Sequence, residues 1–151
     1  METWELIARE RIRDTLARYT WSGDSMRLER LASAFCEEGV LEVRGRPAHE
    51  GREAIVAFLS GVGSTPAAPA SGAKRIVRHN VTNVDFLELS TGEARVASYF
   101  TVITEIGLDH MGRYRDLLVP VGDEWLIRHR FVSTDWRSPD STMAAPTAIE
   151  P

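Results

Sequence analysis

The chain has 151 residues, 43% of them hydrophobic and 26% charged, which fits a single folded domain. Eighteen basic residues against 22 acidic ones leave a net charge of −4, the wrong sign for a nucleic-acid binder. The single cysteine, Cys36, excludes an internal disulfide and any multi-cysteine zinc site. No apolar run approaches the ~20 residues of a membrane span. The charged stretch METWELIARERIRD lacks the apolar core of a signal peptide, so a cytoplasmic protein is expected.

The first predicted element is a helix over 4–21. Trp4, Ala8, Ile12, Leu16 and Tyr19 recur at helical spacing, and Gly23 is a stop signal. A second helix is predicted from Asp24 or Ser25, with Leu28, Leu31, Ala32 and Phe35 on its apolar face and Glu37 to Gly39 ending it. Residues 40–44 predict a short strand, and Gly51 opens a third short helix with Ile55, Phe58 and Leu59 facing inward. The stretch 61–74 holds Gly, Pro, Ala and Ser almost throughout and reads as a long loop.

The second half predicts four long strands joined by short turns: 75–89, 93–106, 110–121 and 124–136. Gly122-Asp123 makes a tight hairpin, and the succession is an antiparallel meander. Residues 137–151 carry three prolines and no periodicity, so the domain is expected to span 1–136 with a flexible C-terminal tail. Helices gathered at one end of a curled antiparallel sheet make an α+β architecture, whose curvature leaves a conical cavity suited to a small molecule.

Few residues can carry chemistry. His79 shares a strand face with Val77 and Val81, as either a satisfied core histidine or a catalyst. Asp24, after YTWSG, reads as a helix cap or as a carboxylate that orients a histidine. An Asp accepting from one ring nitrogen fixes the tautomer and raises the basicity of the other. Tyr19 could polarise a carbonyl or simply pack on the core. Trp21 could line a pocket or cap the same core. On the third long strand, His110, Gly112, Tyr114 and Asp116 share one face, either solvated or lining a polar pocket. On the last strand, Arg128 and Arg130 oppose Trp125, Ile127, His129 and Phe131; one could bind an anion, or both could be surface charges. The four histidines have no diagnostic metal spacing, and no phosphate-binding or dinucleotide motif is present. No metal or other cofactor is therefore expected.

Taken in order, ELIARERIRDTLARYTWSGD, LASAFCEEGVLEV, GREAIVAFL, RHNVTN, DHMGRYRD and EWLIRHRFVSTDW resemble a SnoaL-like protein of the nuclear transport factor 2-like superfamily. The resemblance implies a cone-shaped curved antiparallel sheet closed by three N-terminal helices around a deep pocket. Scytalone dehydratase and hexachlorocyclohexane dehydrochlorinase are the enzyme groups it resembles most. Their His–Asp general base implies that role for His79 and Asp24, with Tyr19 as a further catalytic residue. Candidate substrate-binding residues are Trp21, Asn83, Phe100, His110, Tyr114 and Arg128, the last matching the dehydrochlorinase's arginine near the leaving group. The dehydratase's further histidine has no counterpart in SYFTVIT, and His110 on the next strand could substitute for it.

The implied function is a cofactor-independent lyase or isomerase acting on a hydrophobic small molecule in an enclosed pocket. A polyketide cyclase-like enzyme and a non-catalytic ligand-binding or assembly subunit are the alternatives. The expected partners are a hydrophobic small-molecule ligand and further copies of the chain, as a dimer or trimer, with neither nucleic acid nor membrane.

Overall fold

Helix α1 (Thr3–Asp24) buries one stripe, Ala8, Ile12, Leu16 and Tyr19, as the 3.6-residue period requires. In the computed structural model, which describes residues 1–63 and 75–144, it is followed by α2 (Leu28–Ala32), β1 (Phe35–Val43), β2 (His49–Glu50) and α3 (Arg52–Gly63). Four long strands complete the order: β3 (Val77–Leu89), β4 (Ala94–Thr104), β5 (Gly107–Val121) and β6 (Glu124–Arg137).

Helix α1 runs through Gly23 and beyond the predicted end at 21, so Asp24 occupies its last turn. The turn closes with the Ser25 hydroxyl donating to the Trp21 carbonyl (2.7 Å) and with Met26 in the left-handed region (φ 54°). Asp24 therefore does not cap α2, whose N-cap is Arg27 with no side-chain bond. Only five residues of the predicted second helix are helical. The segment from Phe35 is β1 instead, paired parallel to β6, so tertiary pairing overrides the helical preference of CEE. Residues 61–63 belong to α3, and the remainder of the expected 61–74 loop lies outside the described residues.

The six strands form one curved, unclosed sheet in the order β2-β1-β6-β5-β4-β3. All pairs are antiparallel except β1 with β6. The helices close the concave side, giving the α+β cone expected from the sequence. Ile12, Phe35, Ile55, Val102, Leu118 and Ile127 meet there, each fully buried.

Bulges re-aim side chains along the strands. Between Thr82 and Asp85 the register of β3 shifts at Asn83, a left-handed residue (φ 52°), and the inward row continues from Val81 to Val84. On β6, Ile127 pairs with Leu118 and His129 with Leu117, which leaves Arg128 as the extra residue. That insertion puts Arg130 on the face of Trp125 and Ile127, where it is 0% exposed, and corrects the expectation that Arg128 and Arg130 share the opposite face. The row His110, Tyr114 and Asp116 on β5 is buried, so it lines the interior rather than water.

Beyond β6 the chain stays against the sheet. The Ser138 N–H donates to the Asp109 carbonyl (2.7 Å), and Ser141 is buried. The expected tail over 137–151 thus begins with a packed segment, 138–144, and its last seven residues lie outside those described.

Candidate active site

Asp24 sits where α1 crosses β3, and it grips His79 at two points. Its Oδ1 lies 2.6 Å from the His79 Nδ1, and its Oδ2 accepts the His79 backbone N–H at 3.0 Å. An ionised carboxylate only accepts, so in the neutral ring the proton sits on Nδ1 and Nε2 presents a lone pair. The last turn of a helix is the unfavourable end for an anion, by about 0.3–1 kcal/mol at the surface. Asp24 is placed there at the helix's expense, and its partner is His79. The side chains keep 21% (His79) and 12% (Asp24) exposure, so the ring remains reachable.

A second His–Asp pair faces the first. The His110 ring stands 6.4 Å from the His79 ring, centroid to centroid, at 87°. Its Nδ1 is 2.6 Å from Asp109 Oδ1. Adjacent strand residues ordinarily point to opposite faces. Here Val102 pairs with His110 and Ile103 with Leu108, so Asp109 is an inserted residue and both side chains are buried. Burial, the largest influence, lowers the His110 pKa; the Asp109 hydrogen bond and charge oppose it, and the His79 and Arg137 charges add to the lowering. Burial alone would raise the Asp109 pKa, but hydrogen bonds from Ser141, His110 and Thr104, with the His110 charge, bring it below the usual range.

Deeper in the cone, Arg130 and Asp116 make a bidentate pair, Nε to Oδ1 and Nη2 to Oδ2, both 2.8 Å. The guanidinium lies between the rings of Tyr19 (4.2 Å) and Tyr114 (4.0 Å). Burial, the leading cause, raises the pKa of both phenols, so they stay protonated. For Arg130 burial works against the charge, but Asp116 outweighs it and the cation is retained. Its Nη1 has no hydrogen-bond partner among the described residues. Phe100 stacks on Tyr114 (4.6 Å) and lies 5.9 Å from the His110 ring. Stacked and edge-on rings thus run from Arg130 through Tyr114 and Phe100 to His110 and His79.

Of the residues anticipated from sequence, the structure brings His79, Asp24, His110, Phe100 and Tyr114 together. Tyr19 lies at the far end of that row, packed on Phe35 and Tyr114. Three others point elsewhere. Trp21 is 75% exposed, because two residues along α1 turn it away from the face of Tyr19, and it lines a groove of about 660 Å³ with Arg18 and Arg27. Asn83 is the exposed bulge residue of β3, beside a groove of about 520 Å³ that also touches Tyr99 and Arg113. Arg128, the bulge residue of β6, lines a cavity of about 730 Å³ with Cys36, Leu117 and His129. Neither His79 nor Asp24 lines any of these three.

The remaining histidines serve other ends: His49 stacks on Phe58 (4.0 Å) and His129 meets Glu42 (2.9 Å). Among the described residues, no group of three or more His, Cys, Asp and Glu is placed to hold a metal ion. Sequence reasoning missed Asp109 and Ser141. Asp109 needs a bulge that no residue pattern announces, and Ser141 lies in a segment without periodicity.

The SnoaL-like domain model matches residues 4–131. The chain belongs to the SnoaL-like family. No curated protein matches this SnoaL-like chain. Solved structures share its fold. A candidate scytalone dehydratase from Novosphingobium aromaticivorans is 23% identical, with a TM-score of 0.76 over 93% of each chain. ActVI-ORFA from Streptomyces coelicolor is 23% identical, with a TM-score of 0.71 over 84% of this chain and 96% of that one. A Catenulispora acidiphila protein solved in complex with S-DNPA is 25% identical, with a TM-score of 0.71 over 84% and 92%.

Proposed function

We propose that this SnoaL-like protein is a cofactor-independent lyase or isomerase that removes a carbon-bound proton from a hydrophobic small molecule. The observation that carries the reading is the two-point grip of Asp24 on His79, which leaves Nε2 as a bare, reachable base. Nε2 takes a proton from the carbon beside a carbonyl, and the imidazolium so formed faces the Asp24 carboxylate. In a dehydration, the same nitrogen returns the proton to a departing hydroxyl as the C–O bond breaks, so water leaves and no net proton is consumed. In an isomerisation, it returns the proton to a different carbon. His110, with Nδ1–H committed to Asp109, accepts a hydrogen bond from the substrate through its own Nε2. Val102, paired with His79 across β3 and β4, and Phe100, beside the His110 ring, are apolar and buried, which limits competition from water.

General-base catalysis of this kind contributes roughly 10²–10⁴ in rate. Asp24→Asn should therefore lower turnover by about 10²-fold or more while leaving the circular dichroism spectrum and melting temperature near wild type. The assay is appearance of the conjugated enone from a panel of aromatic β-hydroxy ketones. A variant that turns over a found substrate as fast as wild type contradicts the dyad.

Ring closure of a polyketide-like chain would use the same proton abstraction, so the cyclase reading changes the substrate and not the site. A homo-oligomer fits the outer face of the sheet, where Tyr99, Ile103, Met111 and Trp136 are exposed. Light scattering should give at least twice the monomer mass; a monomer at micromolar concentration contradicts that part.

A further inference from the structure

The segment after β6 has no part in the reaction described so far, yet it ends on the second histidine's partner. Arg137 braces the segment by donating to the carbonyls of Ser141 (3.2 Å) and Ala144 (2.9 Å). Within that turn the Ser141 Oγ accepts the N–H groups of Met143 (3.3 Å) and Ala144 (3.2 Å). A hydroxyl has two lone pairs and one proton. With both lone pairs taken, its proton goes to Asp109 Oδ1 at 2.6 Å. The same oxygen receives His110 Nδ1, and Oδ2 receives the Thr104 hydroxyl at 3.2 Å. Three donors from three elements fix the plane of this buried carboxylate, and the plane sets where the His110 ring points.

We propose that Ser141 is a positioning residue. Through Asp109 it holds His110 with Nδ1 protonated and Nε2 bare, and so makes segment 138–144 part of the acid–base machinery. The inference rests on the reading above only for the use His110 is put to; the orientation itself is independent of it. The charged and titratable groups around the ring are Asp109 on its own strand, His79 from β3 and Arg137 from β6, while β4 contributes the uncharged Phe100 and Thr104. Removing the Ser141 hydroxyl leaves Asp109 Oδ1 with His110 as its remaining donor, so the carboxylate plane can turn away from the ring and the tautomer is no longer fixed. It also loosens the segment and admits water, which relieves the burial that lowers the His110 pKa and moves its titration upward.

The test is long-range ¹H–¹⁵N NMR of the histidine rings in wild type, Ser141→Ala and Ser141→Thr, between about pH 5 and 8. Wild type should show His110 as the Nδ1–H tautomer. Ser141→Ala should show mixed tautomers and a midpoint raised by about one pH unit. Ser141→Thr, which keeps the hydroxyl, should restore both. The inference is overturned if Ser141→Ala keeps the wild-type tautomer and midpoint, or if Ser141→Thr shifts as far as Ser141→Ala. No turnover enters this measurement, so its failure leaves the His79 base standing. Full activity in Asp24→Asn would remove the base and leave Ser141 untouched.

Discussion

Asp24 and His79 are 55 residues apart in sequence, and the structure joins them through one carboxylate. Their residue types and places were legible only through the resemblance, because spacing along the chain cannot say that a helix end meets a strand. Asp109 and Ser141 were not legible at all: one depends on a bulge and the other on a turn stabilised by Arg137. The Asp109–His110 pair carries a pH signature. The His110 pKa is lowered in the fold from 6.5, first by burial, so below about pH 6.5 the unfolded chain binds more protons than the folded one. Stability is then fully present above that pH and declines as pH falls toward the folded pKa. Asp109, also lowered in the fold, adds a loss of the same sign at more acidic pH. His110→Gln should flatten the stability–pH curve between about pH 5 and 7 in urea titrations; an unchanged slope would contradict the buried neutral histidine. Arg130 and Asp116 make the opposite kind of pair, charged on both sides and wholly buried. Asp116→Asn should cost about 3–5 kcal/mol, since it leaves the Arg130 cation uncompensated.

Elements were read well where periodicity is long and poorly where tertiary pairing decides. The stripe of α1 and the four-strand meander follow from 3.6- and 2-residue periods, and their predicted ends lie within three residues of those observed. The second helix was over-extended because CEEG carries no mark of its pairing with β6. Bulges on β3, β5 and β6 are also silent in alternation, and they decide which of Arg128 and Arg130 enters the core. Gly112 shows how tightly β5 is held. A Cβ there would lie 2.0 Å from the Ser133 carbonyl oxygen and 2.8 Å from Phe100 Cζ. Both β6 and the Phe100 ring use that space, so Gly112→Ala must displace backbone. It should cost about 3 kcal/mol or more and also disturb the contact between Phe100 and His110. A melting temperature within a degree of wild type would mean that β6 is not so close.

At the scale of the whole molecule, the fold gathers four elements on one side of the cone: the end of α1, the start of β3, the start of β5 and the segment beyond β6. The end of α1 supplies Asp24 and the start of β3 supplies His79, the start of β5 supplies both Asp109 and His110, and the segment beyond β6 supplies the Ser141 that donates to Asp109. The α+β cone was legible from element order, since helices gathered ahead of four turn-linked strands have few ways to bury their apolar faces. Substrate class was not, because family members share this cone whatever they bind. The central claim is that His79 abstracts a carbon-bound proton, and solvent-deuterium exchange reads that step directly. In D₂O, wild type should load deuterium at the carbon beside the carbonyl of a ketone that it binds, and His79→Gln should reduce that rate to background. Exchange in His79→Gln at the wild-type rate would contradict the account.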